Sequence, residues 1–221
     1  MDKVLDFLEN ELNILAKSGK STFTAEVRKV GRKVYRTLSI YSFEEKLGIC
    51  RVLLEKQDWA MGVIAYDIAF RERGNYTIGT FDVFEDWVKK YVKTWGDCDD
   101  FCVHALGSIV LDYPELFDRV LKWCEDSNYV VRRAAAVSLI YSIRKSCFDS
   151  QKVFMISDHL MKDEHYLVLK GYGWMLKEYS VREEKAVEDY LRKNVHDMPR
   201  LAYRYAVEKL DKGVKRELMS L

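Results

Sequence analysis

Along almost the whole chain apolar residues recur three and four positions apart, which is the period of one face of an α-helix and not the alternation of a strand. Val4, Leu5, Leu8, Leu12 and Leu15 mark a helix over 2–17. After the break at Ser18-Gly19-Lys20-Ser21, Val27, Val30, Val34 and Leu38 mark a second over 24–38. Ser42-Phe-Glu-Glu45 has the form of a capping box, in which a hydroxyl and a carboxylate three residues on satisfy each other's backbone amides. A helix runs from there to about Glu55, and Asp58 caps the next, with Trp59, Val63, Tyr66 and Phe70 on one side. Phe81, Phe84, Val88, Tyr91 and Val92 mark a helix ending just before Trp95, and an acidic helix follows over about 99–111. Pro114 suits the first turn of a helix carrying Leu116, Val120, Leu121 and Trp123. Asp126-Ser127-Asn128 caps a helix with Val130, Ala134, Val137 and Tyr141 at helical spacing. Helices over about 151–161 and 165–179 come next, and Ser180-Val-Arg-Glu183 reads as a second capping box opening a helix to about Lys193. Asp197-Met-Pro199 starts the last, with Leu201, Tyr205, Leu210, Val214 and Leu218 apolar.

The tally is about twelve helices joined by short loops, and helices so joined pack as antiparallel neighbours. No literal repeat is visible, but helix pairs recur at about 35–42 residues, the stride of HEAT-type units, which stack into a curved solenoid with a concave face. The expected fold is therefore all-α, a HEAT-like (ARM-type) right-handed α-α superhelix of about six helix pairs, favoured over a globular bundle and forming one domain over 1–221. Pro114 and Pro199 are the only prolines in 221 residues, which argues against a strongly punctuated all-β fold. No apolar run approaches the length that crosses a bilayer, and Met1 to Asp6 lacks the apolar core of a signal peptide. Cys50, Cys98, Cys102, Cys124 and Cys147 are odd in number and lie mostly inside helical pattern, as reduced thiols in a cytoplasmic protein do. Cys98 and Cys102 stand four apart near His104, but no second Cys/His pair has ligand spacing, so neither metal nor cofactor is expected.

The formal net charge is +1, unevenly spread: residues 81–130 hold 11 acidic and 5 basic side chains, and residues 131–221 hold 13 and 18. That is not the clear basic excess of a nucleic-acid footprint. Lys20, Arg28, Lys29, Arg32, Lys33 and Arg36 lie close together, opposed only by Glu26. Such a run is either a solvated face or a set of phosphate contacts, which supply salt-dependent affinity without sequence information.

The stretch of most chemical interest is Tyr91 to Gly107, where Trp95 is followed by Asp97, Asp99 and Asp100. One reading is an acidic helix N-terminus, favoured by the macrodipole by a few tenths to about 1 kcal/mol per group. Two later segments favour another. Arg132-Arg133 lie in the first turn of a helix about one stride on, where basic residues oppose the macrodipole and need a reason other than helix stability. Trp174 lies about one stride further, beside Gly171 and Gly173, and each helical glycine costs up to about 1 kcal/mol against Ala unless close packing or a partner requires it. In a solenoid, residues one repeat apart line up, so Trp95, Asp99, an Arg and Trp174 are expected to converge on one face.

Trp95-x-x-x-Asp99, then Trp123 to Arg133-Ala-Ala-Ala-Val, then Lys170-x-x-Gly173-Trp174-x-Leu176-Lys-Glu178, resembles the DNA alkylation repair (AlkD-like) family, from about Val83 onward. The resemblance implies a HEAT-like solenoid and an alkylpurine DNA glycosylase, which excises N3- and N7-alkylated purines without flipping the base into a pocket. It implies Asp99 as the catalytic carboxylate, Trp95 and Trp174 as aromatic walls against the lesion's sugar, and Arg133 as the holder of the adjacent phosphate. Arg28, Arg32, Arg132 and Lys170 are further candidates for DNA phosphate contacts. Double-stranded DNA with alkylated bases is the implied partner of a monomer that needs no membrane and no metal. The chain departs from the family pattern in having no counterpart to its N-terminal Tyr, Ser21-Thr-Phe23 in place of a Gly-Val turn, Gly96 in place of Asp, and Val130 in place of Trp.

The chemistry is coherent on its own terms. Cleavage of an N-glycosidic bond makes the sugar cationic; a fixed carboxylate stabilises that charge and orients water, and indole faces attract it by about 0.5–2 kcal/mol each. A base already positively charged leaves without a general acid. The competing readings are a nucleic-acid-binding relative without excision, a HEAT-like protein-interaction scaffold, Asp99 as a helix cap only, and Arg133 as the salt-bridge partner of a neighbouring acidic helix. Trp59, Trp87 and Trp123 are expected in the core, and His104 is expected to be structural or at the surface.

Overall fold

A computed structural model describes residues 2–19, 23–147 and 149–221. Lys20 and the Ser21-Thr22 part of the turn discussed above lie outside the described residues. The all-α expectation holds, with no strand among the described residues. The chain divides into two compact units, Met1–Gly79 and Thr80–Leu221. No helix among the described residues is long and apolar enough to cross a membrane.

The first unit contains α1 (Asp2–Lys17), α2 (Thr24–Thr37), α3 (Phe43–Glu55) and α4 (Trp59–Arg71). Their apolar stripes interlock: Val4 and Leu8 of α1, Val27, Val30 and Val34 of α2, Leu53 of α3 and Ile64 of α4 are all buried. The Ser42–Glu45 capping box forms as expected, and Asp58 caps α4 by accepting from the Met61 amide at 3.0 Å. Trp59 does not join the core. It is the first residue of α4, ahead of the packed stripe, and stays 44% exposed.

The second unit continues with α5 (Thr80–Lys90), α6 (Trp95–Phe101), α7 (Gly107–Asp112), α8 (Phe117–Lys122), α9 (Tyr129–Val137) and α10 (Ile140–Arg144). It ends with α11 (Ser150–Leu160), α12 (Tyr166–Ser180), α13 (Glu184–Lys193), α14 (Arg200–Ala206) and α15 (Lys212–Ser220). A π-helical turn, Cys102–Leu106, joins α6 to α7. Trp87 and Trp123 are buried as expected, Trp87 against Phe84 and Phe101, and Trp123 stacked 5.5 Å from Phe81 with its indole N–H donated to Glu85.

Several boundaries differ from expectation. Helix α5 stops at Lys90 and not just before Trp95, and the helix expected to carry Val130 to Tyr141 is broken between Val137 and Ile140. The acidic helix begins at Trp95, four residues early, because Thr94 and Asp97 close a capping box of their own. Ser180 does not cap α13: it is the last residue of α12, and its hydroxyl is spent on the Lys177 carbonyl of its own helix. The C-terminal helix is two, since Leu210 is extended and Asp211 caps α15 through the Gly213 amide.

Candidate active site

The Thr94–Asp97 box sets the geometry of everything beyond it. Thr94 Oγ1 accepts from the Asp97 amide at 3.2 Å, and Asp97 Oδ2 accepts from the Thr94 amide at 2.9 Å. Asp97 is thereby committed to the helix end. Cys98, Phe101 and Cys102 are fully buried, with Phe101 edge-on to Phe84. Burial of that face leaves Trp95 and Asp99, four apart and so on one side of the helix, turned the other way. Trp95 is 60% exposed.

Arg133 supplies the reason for basic residues at the start of α9. Its side chain is 5% exposed, and Nη2 and Nε both donate to Asp99 Oδ1, at 2.6 and 3.1 Å. Nη1 donates to the Leu167 carbonyl in the first turn of α12 at 2.6 Å. One guanidinium thus ties α6, α9 and α12 together. One proton on each Nη remains for whatever occupies the cleft. Gly171 makes room for this arrangement, since a Cβ there would lie 3.1 Å from Arg133 Cγ and 3.2 Å from Nη1. Asp99 Oδ2 accepts no hydrogen bond among the described residues. Burial pushes the Asp99 carboxyl up from its ordinary value; the Arg133 charge and hydrogen bonds pull it back only in part, and Asp100 adds to the rise.

Trp174 is half-buried on α12, with its indole N–H donated to Glu178 at 3.0 Å. Glu178 also accepts from Arg144, whose guanidinium lies 5.6 Å from the Trp174 ring centre. Gly173, one residue earlier, lets α14 approach: a Cβ there would meet the Ala202 carbonyl at 2.7 Å and Tyr205 Cβ at 2.8 Å. Both glycines therefore serve close packing.

Trp95, Asp99, Arg133, Lys170 and Trp174 line one cleft of about 440 Å³, together with Tyr166, Leu167, Lys177 and Tyr205. The volume falls within the range of about 300–1,000 Å³ usual for small-molecule sites. Three cations face a single carboxylate across it, so the acidic excess of residues 81–130 does not extend to the lining. Arg132 stands apart: its guanidinium is bound by Asp163, at 2.5 and 3.3 Å, and by the Asp126 and Ser127 carbonyls. Arg28 and Arg32 belong to the first unit, on α2, Arg28 half-buried and Arg32 exposed. His104 turns Nδ1 to the Asp100 carbonyl at 2.8 Å. Tyr166, Lys177 and Tyr205 were not anticipated. The first two lie eight before and three after Trp174, helical spacings that place them on its face; Tyr205 carries no such signal because α14 delivers it. A second pocket, of about 350 Å³, lies among Val110, Phe117, Leu139 and Val153. Its Asp149 carboxylate is taken by the Gln151 amide and its Lys152 ammonium by the Pro114 carbonyl.

Two indoles, one carboxylate and three cations thus share the lining of one cleft in the second unit. The chain belongs to the DNA alkylation repair enzyme family, whose model matches residues 22–210, and the membership points to a role in DNA repair. A search of curated proteins finds no match. Among solved structures, the chain is similar to one described as a predicted DNA alkylation repair enzyme from Enterococcus faecalis, at a TM-score of 0.76 and 17% identity over 92% of this chain and 96% of that one. At that identity the likeness establishes the fold, the α-α superhelical one expected from the sequence.

Proposed function

We propose that the cleft is the active site of an alkylpurine DNA glycosylase acting on double-stranded DNA that carries N3- or N7-alkylated purines. What supports the reading most is the convergence of Trp95, Asp99 and Trp174 on one open cleft with one carboxylate oxygen unbonded. The bond from the sugar C1′ to the purine nitrogen breaks, and its electron pair leaves with the base, cancelling the charge that alkylation placed there. The sugar is left oxocarbenium-like. Asp99 stabilises that charge, water adds to C1′, and its proton passes to Asp99 or to solvent. The faces of Trp95 and Trp174 add cation–π attraction, and no general acid is required. Arg133, by fixing Oδ1, keeps the second oxygen for the substrate.

The reading is tested by incubating the protein with methylated duplex DNA and measuring released 7-methylguanine and 3-methyladenine. Release by the wild type, lost in Asp99→Asn, is the expected result; no release and no DNA binding would overturn it. The Asp99–Arg133 ion pair favours a second reading, a DNA-binding relative that does not excise, because the pair already offsets the carboxylate's charge. Binding without release would select that one.

A further inference from the structure

Helix α12 is buried almost all round. Ten of its fifteen residues are buried, and the five that keep access to solvent are Tyr166, Lys170, Trp174, Lys177 and Glu178. The first four fall at intervals of four, four and three, so they form a single stripe along the helix, with Glu178 to one side of it. The stripe lies against the cleft, with aromatic and cationic side chains alternating along most of it. Two features set its lysines apart. Lys170 is half-buried and has no ion pair among the described residues. Lys177 has one, with Glu208 at 2.7 Å, but that carboxylate is 43% exposed and so easily exchanged for another anion.

Tyr205 holds the two ammonium groups together. Lys170 lies 6.0 Å and Lys177 5.7 Å from its ring centre. The ring is itself fixed, because the missing side chain of Gly173 seats Tyr205 Cβ directly on α12. Two like charges held over one ring repel each other, and only one of them is offset by a carboxylate. Seven residues of α-helix separate the lysines by about 10.5 Å along the axis, far enough for each to meet a different phosphate of one strand.

The geometry points to Lys170, Tyr205 and Lys177 as a two-phosphate track for one DNA strand running along α12, with Glu208 as the internal anion that the strand displaces. The inference rests on the reading of the cleft as a DNA site. The two lysines neutralise nearby backbone phosphates of the same strand, and the contact carries no base preference. Glu208 keeps Lys177 in place while the cleft is empty and competes with DNA for it.

The test is fluorescence anisotropy of the full chain with a labelled DNA duplex free of lesions, at salt from about 50 to 200 mM. Lys170→Gln and Lys177→Gln should each weaken binding equally on unrelated sequences and reduce the slope of log affinity against log salt by about 0.9. Glu208→Gln should do the opposite, raising affinity about threefold at the low-salt end while leaving folding intact, because a competing and repelling charge is gone. A purely structural Lys177–Glu208 bridge predicts the same sign for both its partners, so weakened binding by Glu208→Gln overturns the proposal. Salt-dependent binding by the wild type with an unchanged slope in both lysine variants also overturns it while sparing the DNA reading. No salt-dependent binding by the wild type removes both.

Discussion

Each unit buries a carboxylate against a cation, and the two are held in opposite ways. Glu72, at the end of α4, is 2% exposed, and both its oxygens are bonded: Tyr35 and Lys46 donate to Oε1 at 2.7 and 2.8 Å, and Asn75 to Oε2 at 2.8 Å. Burial alone would raise its pKa, but the hydrogen bonds from Lys46, Tyr35 and Asn75 outweigh it and hold the carboxyl below its ordinary value. Asp99 has a shorter ion pair, 2.6 Å, yet Arg133 engages one oxygen only and the pKa stays raised. A saturated carboxylate stabilises the fold and has nothing left to offer. A half-bonded one in a cleft is a less stable element and a chemically available one, which is why perturbed carboxyls collect at functional sites.

The largest effect that tests this contrast is on folding. Removing one partner of a buried, fully bonded pair leaves the rest uncompensated, so Glu72→Ala should lose about 3–5 kcal/mol of unfolding free energy, read by urea denaturation. A loss below about 1 kcal/mol would mean the network is not structural. Asp99→Asn should divide the other way. Base release should fall by about 10²–10³, equivalent to about 2.7–4 kcal/mol of transition-state stabilisation, with the urea midpoint little changed. If Asp99→Asn unfolds as readily as Glu72→Ala, the two carboxylates are alike and the contrast is gone.

Much of the second unit was legible because its signals are local. Trp95 and Asp99 are four apart, and the stripe of α12 is written in the spacing of Tyr166, Lys170, Trp174 and Lys177. The start of α6 was missed because Thr94-x-x-Asp97 closes its box with Asp where the usual signature has Glu or Gln. Ser180-x-x-Glu183 has that signature and fails, since α12 runs on through Ser180 and takes its hydroxyl. Which partner a charge finds across helices is not always written in the spacing. The Glu72 network draws Tyr35 from 37 and Lys46 from 26 residues away without any such signal, whereas the meeting of Arg133 with Asp99, 34 residues apart, follows the one-stride spacing. Gly171 and Gly173 were legible as sites of close approach but not as serving two different neighbours.

That difference gives the next test. Gly173→Ala drives a methyl into the Ala202 backbone, which has no easy escape, and should destabilise by about 1–3 kcal/mol. Gly171→Ala meets the flexible Arg133 side chain, and the better helix propensity of Ala, up to about 1 kcal/mol, offsets part of the crowding. Its stability should stay close to wild type. Its base release should fall about tenfold, because the displaced guanidinium no longer fixes Asp99. Equal losses of stability in the two variants would remove the distinction between a packing glycine and one that positions the site.

The smallest effect is one of sign. Glu72 has a folded pKa below its unfolded one, so its stabilisation is present above the ordinary carboxylate range and is lost as pH falls through the folded value. Asp99 has a folded pKa above its unfolded one, so its ionised form weighs against folding at neutral pH, and that penalty is relieved as pH falls through the raised value. Urea unfolding between about pH 7 and pH 3 should therefore show the stability of wild type relative to Asp99→Asn growing as acid is added, and relative to Glu72→Gln shrinking only at the acid end, below the ordinary carboxylate range. Base release needs the Asp99 anion and should fall over the same interval, with a midpoint above the usual aspartate value. If both stability differences shrink together, Asp99 is as saturated as Glu72, and the oxygen assigned to the sugar cation is already in use within the fold.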